Sequence, residues 1–387
     1  MTFITDWFQR GASGAWTGIT DILALLGVAF ALCAVVAHAR ASSKGAVTGL
    51  TRFLGAAHVL CLIGATGAMA TAMGHRWVEV NHFPSQSMSE VLGMFTLSLL
   101  VSMVVLHFAL GLPRRGPGWA VLNDVLVALV LGGVVFTHSH ILTLSTAQRD
   151  LPPALQSYWF APHLSSLIFS YATLTIAALI CLVYFVTRFW TGVFGGGQSK
   201  LSQWLILAGL VLVPFAHIVT LPVLALSGVV FFVLLRTGRL PSTERMAKLE
   251  KELDDVSFRA FAVGIPFLTA GLWMGAFWAQ EAWANYWGWD SKENSALITW
   301  LVYIVYIHLR MLGGYRGAKA MSVLMGGALS IFITFQLFGY MPDSQKSLHR
   351  YTDDGVQPQE GQQGPSPINA EASLPPAANT SNDSQGR

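Results

Sequence analysis

Eight apolar runs, each about twenty residues long, restrict this chain to one kind of architecture. They occur near Ile19–His38, Phe53–Met73, Met88–Leu110, Trp119–Thr137, His163–Arg188, Phe258–Ala279, Ser295–Leu309 and Ala320–Phe338. At 1.5 Å rise per residue, a helix needs about 20 mostly apolar residues to cross the hydrocarbon core. Lipid offers the backbone no hydrogen bonds, so a run of that length is accommodated as a helix, whose N–H and C=O groups pair within it. Composition agrees, since 53% of the 387 residues are hydrophobic and 11% are charged, against roughly 25% charged in soluble domains. The expected fold is an all-α, polytopic integral membrane helical bundle. No basic leader precedes the first run, so a cleaved signal peptide is not expected.

The stretch Leu201–Leu235 is harder to place. As one helix it would reach about 52 Å, well beyond a core of about 30 Å. Charge arbitrates, because Lys and Arg favour the cytoplasmic side. With the N-terminus outside, only Arg10, Arg76, Arg149, Lys292, Lys346, Arg350 and Arg387 fall on the outer side, and the rest of the 23 basic residues fall inside. That bias requires an even number of crossings, so Leu201–Leu235 reads as a short hairpin turning near His217–Pro222, for eight to ten transmembrane helices in all. The membrane domain then covers residues 1–340. An outer segment, 341–351, carries His349. Residues 352–387 are rich in Asp, Gly, Gln, Pro, Ser, Asn and Ala, and such a tail buries too little to offset its ordering entropy, so it reads as disordered and extracytoplasmic.

Between two apolar runs stands W-A-N-Y-W-G-W-D-S-K-E, Trp283 to Glu293. Single Trp and Tyr residues at a membrane edge commonly serve as interfacial anchors. Trp283, Trp287 and Trp289 with Tyr286 are denser than anchoring needs and would form a flat stacking platform for a large planar ligand, porphyrin being the obvious candidate. The same charge count puts this segment on the outer face. Asp290 and Glu293 have the spacing of an N-cap and its capping-box partner, which is the mundane reading of both. Trp278, just ahead of the segment, reads as an interfacial anchor.

The stretch from Gly275 to Arg310 resembles the tryptophan-rich WWD haem-handling signature of the CcsA/ResC cytochrome c biogenesis family, with Ser291 where the family has proline. Three further stretches extend the resemblance. Near residue 80, His82, Pro84, Ser87 and Glu90 match; Y-W-F-A-P-H puts His163 at the start of a helix; and S-L-H-R-Y carries His349 and Tyr351. The resemblance implies that His163 and His349 flank the tryptophans and ligate external haem. Two imidazoles on opposite sides give a six-coordinate, low-spin iron. It implies also that His308, about 22 Å down its helix from Glu293, is one ligand of a second, membrane-embedded haem. A polar side chain at such depth marks a functional site by default. His82 has no defined role beyond lining the route, orienting a substrate or capping the next helix. His138 and His140 read as solvated loop residues, and His38, His58, His75, His107 and His217 as helix-end or interhelical hydrogen bonders.

What the resemblance implies about function is the presentation of haem b (iron protoporphyrin IX), bound transiently, for covalent attachment to the C-x-x-C-H of an apocytochrome c. Trp283, Trp287, Trp289 and Asp290 would act at that step, and the thioether chemistry belongs to haem and the cysteines. Cytochrome c synthase, or haem lyase, activity is uncertain on these grounds. The implied partners are a ResB/CcsB-like membrane protein, the apocytochrome and a thioredoxin-like thiol reductant. The implied location is the bacterial cytoplasmic membrane, or the thylakoid membrane in an organelle. Rival readings are a haem exporter with no ligation role and a haem chaperone of the CcmC/CcmF type. Cys33, Cys61 and Cys181 form no C-x-x-C pair, which excludes thiol redox chemistry by this chain. There is no P-loop, and the charge of +3 is accounted for by cytoplasmic loops, so no nucleic acid partner is expected. The segment Arg239–Arg259 reads as a solvated surface helix.

Overall fold

Each of the eight apolar runs begins inside a helix, and the described helices gather into one bundle. The structure, a computed structural model, describes residues 2–44, 48–115, 117–144, 153–195 and 243–334, with positions 203, 227, 228 and 236. The hairpin read over Leu201–Leu235, the segment holding His349 and the tail 352–387 therefore lie outside the described residues or largely so. The helices are α1 (Thr2–Phe8), α2 (Gly11–Lys44), α3 (Gly49–Val80), α4 (Met88–Leu110), α5 (Pro117–Ile141), α6 (Phe160–Gly195), α7 (Thr243–Trp283), α8 (Ser291–Met311) and α9 (Ala318–Phe332). Among the described residues, six of these are long and apolar enough to cross a membrane. The other two runs expected to cross lie in α8, which carries charges at both ends, and in α9, described as far as Phe332.

Helices α2 to α5 form one antiparallel group, α6 and α7 pack closely as a pair joined to it through α4, and α8 and α9 close the far side. Hydrogen bonds bring the start of α2, the end of α3, the start of α4 and the end of α5 to one end of the bundle. Ser13 donates to Glu79, Arg76 to Glu90, and Arg10 to the Leu142 carbonyl. The expected cap at α4 is present: Ser87 accepts from Glu90 N–H, and Glu90 accepts from Ser87 N–H.

Two buried His–Asp pairs clamp α2 to α5, with the two residue types exchanged between the helices. Near the Ser13 end, Asp21 of α2 meets His138 of α5 at 2.6 Å. Toward the other end, His38 of α2 meets Asp124 of α5 at 2.7 Å, with His58 of α3 at 3.4 Å from the same carboxylate. His107 adds a bond to Asn123. The interhelical role read for His38, His58 and His107 holds. His138 does not fit the loop reading, being fully buried. α5 runs on past Thr137 by a turn and carries its imidazole in among α2 and α4, where Thr96 also reaches it.

The segment Arg239–Arg259 also departs from expectation. From Thr243 it is the first part of α7, continuous with the membrane run, and Leu253, Val256 and Asp254 are buried. Asp254 is neutralised by Arg310 of α8 at 2.7 Å, which is what lets a charge enter the bundle. Helix α8 is turned inside out relative to a soluble helix. Its buried stripe is Ser295, Thr299, Tyr303, Tyr306 and Arg310, whereas Ile298, Leu301 and Val305 face outward. That inversion suits a helix whose outer face meets lipid or a partner.

Candidate functional site

The α6–α7 pair is interlocked along one stripe of α7. A Cβ on Gly264 would stand 2.9 Å from Leu174, one on Gly271 would stand 2.6 Å from Leu167, and one on Gly275 would stand 2.6 Å from His163. Small residues at such positions let helix backbones approach. Close approach brings the first turn of α6 within reach of the α7 backbone, and His163 Nδ1 donates to the Gly271 carbonyl at 2.7 Å. A carbonyl only accepts, so the proton is on Nδ1 and the lone pair on Nε2, the tautomer suited to a metal.

Beside this ring a groove of about 850 Å³, counting the space open at its mouth, runs between α6, α7 and α8. His163, Leu164 and Tyr171 line it from α6, and Gly275 and Ala276 from α7. Tyr286, Trp287, Lys292 and Glu293 line it from the tryptophan segment and the start of α8. The structure thus brings His163 and the tryptophan segment together across more than a hundred residues of sequence.

The segment itself is a tight irregular turn. α7 ends at Trp283, and Ala284 takes φ 55°, the left-handed conformation of a helix C-terminus. Trp289 is left-handed too, at φ 58°. Glu293 holds the turn by accepting from Gly288 N–H at 2.9 Å and Asp290 N–H at 3.2 Å, and Asp290 is the N-cap of α8. The capping reading of this pair is correct. The three tryptophans do not make one flat surface. Trp287 and Trp289 stand edge to face at 82°, and Trp289 is 70% exposed. Trp283 turns inward onto Trp278, ring to ring at 4.7 Å. The positive φ at Ala284 and Trp289 twists the chain between the rings, which is why they diverge. Trp287 lies in the groove wall, its Nε1–H buried and without a partner among the described residues.

Trp278 is a core residue, not an interfacial anchor. It is 3% exposed, donates Nε1–H to the Ala154 carbonyl at 2.8 Å and stacks on His163 with centroids 5.5 Å apart. The sequence carries a signal for this, since Gly271, Gly275 and Trp278 fall at i, i+4 and i+7 and so share one helix face.

The remaining candidates lie elsewhere. His82 sits in the turn between α3 and α4, its Nδ1 donating to the Phe83 carbonyl. His308 points outward from the bundle and is exposed, with Nδ1 on the Ile304 carbonyl of its own helix. It stands in the last turn of α8 and is not enclosed by this chain's described residues. His349 lies outside the described residues.

Comparison with known proteins bears on the whole of this arrangement. The pattern of a family described as cytochrome C assembly protein matches residues 16–343. A cytochrome c biogenesis protein CcsA of Synechocystis is 33% identical over 311 residues, covering 74% of this chain and 87% of that protein. The CcsA of Heterosigma akashiwo is 33% identical over 283 residues, covering 71% of this chain and 79% of its own. A solved chain named cytochrome c heme lyase CcmF superposes with a TM-score of 0.48 at 16% identity, covering 83% of this chain and 46% of that one, too slight a likeness to argue from. On the family match and the identity to its relatives, this all-α membrane protein belongs to the cytochrome c assembly family, among proteins named CcsA.

Proposed function

We propose that this chain holds haem b in the groove beside His163 and presents it to an apocytochrome c for covalent attachment. The observation that carries the reading is the convergence of His163 and the Trp287 turn on one groove. The residues suit the group. The walls include Leu164, Leu167 and Ile168 for an apolar macrocycle, His163 is in the tautomer that offers Nε2, and Lys292 and the Trp287 Nε1–H, which has no partner among the described residues, supply donors for carboxylates. When bound, haem supplies the iron that His163 ligates and the two vinyl groups to which the cysteine thiols of C-x-x-C-H add.

This chain's part is to bind, orient and shield. His163 and His349 would hold the iron, and the histidine of an incoming C-x-x-C-H would compete with them for it. Trp283, Trp287 and Trp289 bound the porphyrin edge, and Asp290 keeps the turn between them capped. His308, facing out of the bundle, is half of a second site completed by a ResB/CcsB-like membrane protein. His82 lies on the route to the substrate. The site faces the extracytoplasmic side of the bacterial cytoplasmic membrane, or of a thylakoid, with the N-terminus outside. A thioredoxin-like reductant keeps the cysteines reduced.

The test is the dithionite-reduced absorption spectrum of the chain purified with its membrane partner, wild type against His163→Gly and the His163→Gly, His349→Gly pair. Partial loss of the bis-histidine signal together with loss of holocytochrome is expected. An unchanged spectrum with cytochrome still matured would remove His163 from the ligand set.

A further inference from the structure

We infer that Trp278 is a positioning residue that fixes the plane of the His163 ring. The inference rests on His163 holding an axial position, as proposed above.

One hydrogen bond does not fix an imidazole. The 2.7 Å bond from Nδ1 to the Gly271 carbonyl leaves the ring able to tilt about the N···O line, and a tilt swings Nε2 out of the groove. Two contacts remove that freedom. On one side the Trp278 ring lies nearly parallel to the imidazole, at 25° and 5.5 Å between centroids. On another, the imidazole fills the space where a Cβ of residue 275 would stand, 2.6 Å from Cε1 and 2.8 Å from Nδ1.

Trp278 can act as a stop because it is itself held. Its Nε1–H is bonded to Ala154 in the segment that leads into α6. Its faces and edges meet Phe160 at 5.1 Å and Trp283 at 4.7 Å. Residues that orient a ligating histidine commonly matter to metal retention by about 10–100-fold, and a pre-set ring gives up less rotational freedom on ligation. Trp278 reaches iron only through His163, and a stacked indole has no lone pair to offer it.

The test is low-temperature EPR of the ferric, full-length chain purified with its membrane partner, because the signal reports the orientation and homogeneity of axial imidazoles. Wild type is expected to give one low-spin signal from the His163 site, separate from that of the second site at His308. Trp278→Phe, which keeps an aromatic face, should retain it. Trp278→Leu should give a mixture with a high-spin component and about 10–100-fold weaker haem retention. Gly275→Ala, which presses the same ring from its other side and leaves Trp278 in place, should give a similar mixture and serves if Trp278→Leu does not accumulate. A wild-type signal from Trp278→Leu, or from Gly275→Ala, overturns the positioning role, as does a Phe variant as disordered as the Leu variant. His163→Gly separates this from the parent reading: if it leaves the signal unchanged, His163 is not a ligand and the fault lies there.

Discussion

Gly275→Ala separates stability from site geometry, because its effects on the two are of different size. A Cβ there would stand 2.6 Å from His163 Cε1, whereas carbons in contact stand about 3.5–4.0 Å apart. Something must give by close to 1 Å. Moving the α7 backbone away would part the close packing of Gly264 and Gly271 against Leu174 and Leu167, a larger change than turning one side chain. The imidazole therefore moves, and its 2.7 Å bond to Gly271 is stretched past the useful limit of about 3.2 Å. Overpacking costs about 1–3 kcal/mol and the lost bond about 1 kcal/mol, while Ala in place of Gly in a helix returns about 1 kcal/mol. The net loss of stability is about 1–3 kcal/mol, modest for a bundle of this size. Misplacing a reacting group by 1 Å, in contrast, can cost about 100-fold. Expression in a strain lacking its own maturation protein, with holocytochrome measured by haem stain and the chain by immunoblot, reads both quantities at once. The expected result is near-normal chain with holocytochrome reduced by one to two orders of magnitude. Wild-type holocytochrome at normal chain levels would refute the geometric argument, since a ring that can yield 1 Å without consequence is not holding a reacting centre.

Three further outcomes follow from buried charge, backbone strain and exposure. Arg310→Met should lower stability by about 3–5 kcal/mol by leaving Asp254 unpaired, and adding Asp254→Leu should recover most of it; equal losses in the single and double variants, by SDS titration, would contradict this. Ala284→Gly should raise stability by about 1 kcal/mol by relieving the left-handed backbone at φ 55°, seen as a higher melting temperature, and a lower one would mean that the methyl group packs. His308→Ala should change stability by no more than about 0.5 kcal/mol, because the ring is exposed and, among the described residues, bonded only to its own helix; a loss above about 2 kcal/mol on thermal denaturation would show that it is enclosed.

Much of the fold was legible from apolar run length, because lipid leaves a twenty-residue apolar segment few other conformations. The Ser87–Glu90 box and the Asp290–Glu293 spacing were legible too, since caps are local. Pairings were not. Asp21 and His138 are 117 positions apart, and in helices apolar on every side no periodic face shows which residues turn inward. That is why His138 read as a loop residue and Trp278 as a surface anchor. The site was half legible. The Trp283–Glu293 segment announces itself by composition, but its union with His163 came by resemblance, and the divergence of its rings depends on two left-handed residues that no side-chain pattern marks.

The inverted helix α8 bears on how the chain enters the membrane during synthesis. A segment carrying Ser295, Thr299, Tyr303 and Tyr306 on one stripe, with Arg310 in its last turn, is a poor candidate for insertion alone. Its counter-charge, Asp254, resides on α7, which emerges from the ribosome first. The two helices are therefore expected to partition as a hairpin, with the turn of tryptophans at its tip. α7 is long and apolar enough to cross unaided, so the entry of α8 depends on α7, and the turn between them is set only once both are in place.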